Sequence, residues 1–135
     1  MVIETDLGAP EPVTLVAVAP LGPGGPSRAQ ANPQFPFVVA ILAETHLESF
    51  DLSVQLSPDA DGQVILVFRS ARDVAFVAGQ KRMFVMPMLA KCRCQGTACP
   101  APGDPDCDDL RAPALAPLDA RAGEEPDLTI ERAAL

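Results

Sequence analysis

Between residues 50 and 57 the chain alternates strictly. Phe50, Leu52, Val54 and Leu56 are apolar, and Asp51, Ser53, Gln55 and Ser57 are polar. Successive side chains of a strand point to opposite faces, so this pattern predicts a half-buried strand. The run before it, residues 36–43 (PFVVAILA), is continuously apolar and predicts a strand buried on both faces. A helix from Phe37 to Phe50 competes with it, because Ala43, Glu44, Leu47 and Glu48 tolerate a helix. Residues 13–19 (VTLVAVA), β-branched and closed by Pro20, predict an earlier strand. After the alternating segment, Ser-Pro-Asp-Ala-Asp-Gly supplies turn chemistry, with Asp61-Gly62 suited to positive φ. Residues 63–69 (QVILVFR) predict the next strand. Residues 73–78 (DVAFVA) and 81–89 (KRMFVMPML) flank Gly79-Gln80, which reads as a hairpin turn. Pro87 has no N–H to give to a ladder, so the last strand is expected at a sheet edge or at a bulge.

The remaining segments lack this patterning. Residues 20–36 contain Pro20, Gly22, Pro23, Gly24, Gly25, Pro26, Pro33 and Pro36 and read as a loop. Residues 91–135 hold no aromatic residue, and only 127–133 (DLTIERA) has strand character. This tail is expected to be extended, held by its cysteine region and by Leu110, Leu115 and Leu118. All six phenylalanines, Phe35 to Phe84, lie in the middle of the chain. The division that follows is an N-terminal arm (1–12), a β-sandwich domain (13–90) and a cysteine-containing, Pro-rich extension (91–135). Fifteen prolines and nine glycines in 135 residues argue against long helices and for short strands joined by turns. A hydrophobic content of 48% is enough for a core, and the length fits about one domain.

The run from Arg72 through Asp-Val-Ala-Phe-Val-Ala-Gly-Gln-Lys-Arg-Met-Phe-Val-Met-Pro to Met88 resembles the late-strand hairpin of bacterial immunoglobulin-like or fibronectin-type-III-like sandwich domains. In those, a V-x-F-x-A-G-x turn leads into a strand ending apolar-Pro-apolar. The resemblance covers about residues 13–90 and implies an all-β, immunoglobulin-like sandwich of about seven strands.

The cysteines follow that hairpin as Cys92, Cys94, Cys99 and Cys107, spaced C-x-C-x4-C-x7-C. Cys92 and Cys94 are two apart and would share one face of a strand, which disfavours a bond between them. Each is then expected to pair with Cys99 or Cys107. A zinc site of four thiolates and unpaired thiols are the alternatives; the paired C-x2-C knuckles of common zinc sites are absent. Redox chemistry usually uses C-x-x-C, which is also absent. Asp104, Asp106 and Asp108 match positions 1, 3 and 5 of a calcium loop, but Asp109 stands where Gly is needed and Leu115 where Glu is. A solvated acidic turn is therefore expected.

Other chemistry is sparse. His46 is the sole histidine, and no nucleophile-elbow pattern surrounds Ser49, so no catalytic residue is assigned. Gly22-Pro-Gly-Gly-Pro lacks the phosphate-binding glycine patterns, and its prolines remove donors, so no cofactor is expected. No metal ligand set is assigned. Met83, Met86 and Met88 are expected to fill the core or an edge. The net charge is −8 without a basic patch, which disfavours nucleic acid and anionic membranes. No stretch is long and apolar enough for a membrane span, and the start lacks the pattern of a signal peptide.

These observations lead to a non-enzymatic structural or protein-interaction module. It would belong to an extracellular, cell-surface or particle assembly and would meet a protein partner or its own copies through Pro-rich arms, residues 20–36 and 110–135. A phage virion component, such as a capsid decoration or tail protein, is one alternative. A small cytoplasmic adaptor holding zinc on its cysteines is the other.

Overall fold

The computed structural model describes residues 1–7, 13–20, 28–43, 49–59, 61, 63–75, 82–94, 104–117 and 128–132. They form an all-β structure, with strands β1 (Val2–Thr5), β2 (Leu15–Pro20), β3 (Arg28–Ala31), β4 (Phe37–Ala43), β5 (Ser49–Ser57), β6 (Val67–Ala75), β7 (Arg82–Met83), β8 (Val85–Met88), β9 (Leu110–Arg111), β10 (Ala116–Pro117) and β11 (Leu128–Arg132). One sheet runs β11-β4-β1-β8 and the other β3-β2-β5-β6-β9, with β10 and β7 as a separate short pair. Both sheets are mixed. The pairs β1–β8, β4–β11 and β6–β9 are parallel, and the others are antiparallel.

One core joins the two sheets. Ile3, Phe37, Val39, Met86 and Met88 come from the first sheet, and Val16, Val18, Leu52, Val54, Leu56, Val67, Ala71 and Val74 from the second. The alternation in β5 works as the pattern predicts at Leu52, Val54 and Leu56, which are buried. Ser53, expected to face outward, is buried too, and its hydroxyl lies 3.5 Å from the Ala19 carbonyl. Phe37 and Val39 of β4 are buried, with Val38 and Ala40 half-buried between them. The three methionines of the hairpin are core residues, as expected: Met86 and Met88 in the main cluster, Met83 with Val2 in a smaller one. Pro87 sits in β8, at the edge of its sheet, as its missing N–H requires.

Several segments differ from the sequence expectation. The sequence predicts an arm over residues 1–12, yet Val2–Thr5 is an interior strand between β4 and β8, with Val2 and Ile3 fully buried on opposite faces. Four residues carry too little periodicity to show this; their partners are distant in sequence. The loop assigned to 20–36 contains β3, a polar strand paired antiparallel with β2. Two expected strands, 63–69 and 73–78, resolve differently, since Val67–Ala75 is one strand and residues 63–66 precede it. The register against β5 shifts between Phe50 and Leu52, and Asp73 takes φ 54° at that point. The Asp51 carboxylate accepts the Asp73 N–H at 2.8 Å, which stabilises the bulge. Finally, the 91–135 extension is not separate from the sandwich, because β9 and β11 complete its two sheets. β11 coincides with the segment that had strand character. The turn at Gly79-Gln80, Gly62, His46 and Leu118 lie outside the described residues.

Candidate functional site

Among the described residues, ionic groups cluster where the tail leaves β8. Two short 3-10 turns meet there, Ala90–Cys92 and Pro105–Cys107. The second begins properly: Asp104 accepts the Asp106 N–H through its side chain at 2.9 Å, and Pro105 follows at the first helical position. A disulfide joins Cys92 to Cys107, their Cα atoms 5.4 Å apart. Both cysteines are buried in the main core. Cys94 is disulfide-bonded as well, while Cys99 lies outside the described residues. Of the two partners open to Cys92 in the sequence, the structure has Cys107, and the pairing spans 15 residues.

Three cations surround this bridge. Lys91 places its Nζ against the carboxylates of Asp104, at 3.4 Å, and Asp106. The hydrogen bond to Asp106 raises the Lys91 pKa, and the same bond holds the Asp106 carboxyl below its usual range. Both are exposed, so their attraction is screened by water. Arg69 on β6 is different, being only 5% exposed. Its Nε donates to the Asp108 carbonyl at 3.0 Å and its Nη1 to the Pro87 carbonyl at 2.9 Å. Burial lowers its pKa from the ordinary arginine value, and the carboxylates of Asp106, Asp108 and Asp109 oppose that shift. An arginine titrates far above neutrality, so the guanidinium stays charged. Arg72, two strand positions past Ser70, donates from Nε to Asp109 at 2.9 Å and lies 3.8 Å from Asp51. Its carbonyl accepts the Ala112 N–H, at the start of the segment beyond β9.

Chemically this is a clasp. Aspartates from the tail meet cations from β6 and from the turn after β8. The acidic turn that resembled a calcium loop has Asp104 and Asp106 turned to Lys91. Among the described residues, no group of three or more His, Cys, Asp or Glu could hold a metal ion. With Cys92, Cys94 and Cys107 in disulfides, these three have no thiolate to offer zinc. Elsewhere, a depression of about 260 Å³ is lined by Glu4, Thr5, Phe35 and Pro36. The Thr5 hydroxyl there is already committed, donating to the Met88 carbonyl at 2.7 Å.

Sequence reasoning missed Arg69, Arg72, Lys91 and Asp109. A signal for Arg69 existed. It shares the inward phase of β6 with Val67 and Ala71, all three buried, and a charge at an inward strand position needs partners. No helix among the described residues is long and apolar enough to cross a membrane. No family model matches the chain, and no curated protein or solved structure matches it.

Proposed function

We propose that the chain is a non-enzymatic structural module that builds assemblies, with a protein partner or with its own copies, in an extracytoplasmic, cell-surface or particle setting. The observation that carries this reading is the edge at β3. Its four residues, Arg28 to Ala31, are all exposed, and among the described residues β2 is the one strand hydrogen-bonded to β3. An open edge offers unpaired N–H and C=O groups to an added strand. The ionic clasp supports the same reading, since its charges are spent on fixing the tail. The Cys92–Cys107 disulfide supports an oxidising compartment. The antiparallel run β2-β5-β6 supports an immunoglobulin-like or fibronectin-type-III-like sandwich as the finer fold, whereas the parallel pairs weigh against it.

A proline at the edge tests this. The Asn32 N–H donates to the carbonyl of Thr14, the residue before β2, so by alternation along the Leu15–Ala31 register the N–H groups of Ala29 and Ala31 point away from β2. Ala29→Pro removes an outward donor and no home ladder bond. Light scattering over a wide concentration range is expected to show self-association that Ala29→Pro weakens, with the unfolding midpoint kept. A strict monomer at every concentration overturns assembly with its own copies.

A further inference from the structure

Strand β4 is unevenly partnered. On one side β1 pairs with it at Phe37 and Val38, with Met1 and Val39 exchanging hydrogen bonds just beyond. On the other side β11 pairs with Val39, Ala40, Ile41, Leu42 and Ala43. Among the described residues, Ala40–Ala43 therefore have β11 as their sole strand partner. Without β11, the most apolar run of the chain would present a bare edge, which is a template for strand addition.

The connection to β11 is long for what it must cross. Leu128 is opposite Val39, Val38 opposite Val2, and Val2 opposite Val85, so these residues stand at one level of the sheet. β10 lies beside Met83, just before β8 on the far side of that sheet. β8 and β11 are three strand spacings apart, about 14 Å, and Pro117, opposite Arg82, lies three residues, about 10 Å, before the Val85 level. Residues 118–127 join β10 to β11, and ten residues reach about 33–36 Å when extended. That exceeds the need, and the connection carries Gly123, Glu124, Glu125 and Pro126.

We propose that the Val39–Ala43 edge is a strand acceptor and that β11 is an exchangeable donor: in assembled protein, β11 of one chain fills the edge of a second copy. The occupant is argued from the home pairing itself. A second copy's β11 has the same five residues, the same parallel register and the same fit, and the slack lets it reach. The proposal rests on the assembly reading above and adds to the β3 edge a second contact, in the other sheet.

Two single variants mixed together test it. Thr129 and Ala40 are register partners. Chains carrying Thr129→Cys are mixed with chains carrying Ala40→Cys under native conditions and mild oxidation, with light scattering on the same samples. A disulfide between position 129 of one chain and position 40 of the other, identified by peptide mass, is the expected result. Association without this mixed disulfide overturns strand exchange but leaves the assembly reading standing. Monomers without it overturn strand exchange and self-assembly alike. The double variant in one chain is the control that the geometry allows the bond, as it closes within a monomer when β11 stays at home.

Discussion

Arg69 on β6 donates a hydrogen bond to the carbonyl of Pro87 on β8, 2.9 Å away, so one side chain ties the two sheets together. Its Nε reaches the Asp108 carbonyl at the same time, which adds the tail to the same contact. Pro87 contributes through its carbonyl what it cannot contribute through an N–H.

Arg69→Met is expected to destabilise the fold by about 2 kcal/mol, since bonds from a charged donor contribute roughly 1.5–3 kcal/mol and two part-buried carbonyls would lose a partner. Arg69→Lys keeps the charge but not the fork, and should recover only part of the loss. Urea titration with an unchanged m-value measures both. Equal stability of wild type and Arg69→Met would show that the contact contributes nothing.

Val54 and Gln55 are neighbours on opposite faces of β5, the first fully buried and the second half-buried. Val54→Asp should cost more than about 3 kcal/mol, as it puts an unpaired charge in the core. Gln55→Asp should cost under about 0.5 kcal/mol. Similar losses in denaturant titration would contradict the assignment of faces.

The disulfide closes a segment of 15 residues, worth about 3 kcal/mol by unfolded-state entropy. From the sequence, it would stabilise the tail rather than the sandwich. Cys92 and Cys107 belong to the main core, however, so replacing both by Ser should lower global stability and not only expose residues 104–117 to protease. Amide exchange resolves the two. Faster exchange in β5 as well as in the tail is the expected outcome, and a change confined to the tail would restore the earlier view.

The Met1 amino group donates to the Val39 carbonyl at 2.8 Å inside the sheet, and burial lowers its pKa from 8.0 to about 6. For the polypeptide beginning at this amine, the unfolded chain holds a proton between pH 6 and 8 that the folded chain has lost. Stability should therefore rise with pH through this window and be lost as pH falls through 6, by up to about 3 kcal/mol. Urea midpoints measured across the window check the sign. A midpoint that falls as pH rises from 6 to 8 would refute the buried amine.

Local patterning determined what depends on neighbouring residues. Period 2 marked β5, an unbroken apolar run marked β4, the missing N–H of Pro87 put β8 at an edge, and DLTIERA contains β11. Each follows from the strand repeat or from the chemistry of one residue. Tertiary structure alone decided the rest. β1 is a strand because Val38 and Val85 flank Val2 from either side, contacts that no window of four residues contains. β3 is polar and exposed, and only pairing with β2 makes it a strand. β6 runs through Asp73 because the Asp51 carboxylate, 22 residues away, receives its N–H. The spacing of the cysteines left Cys99 and Cys107 equivalent as partners for Cys92, and the meeting of two 3-10 turns chose Cys107. Arg69 shows the same division. Its inward phase was visible in the sequence, but the carbonyls that satisfy it lie 18 and 39 residues away. Long-range partners are chosen by how the sheets close, and a linear pattern carries no record of that.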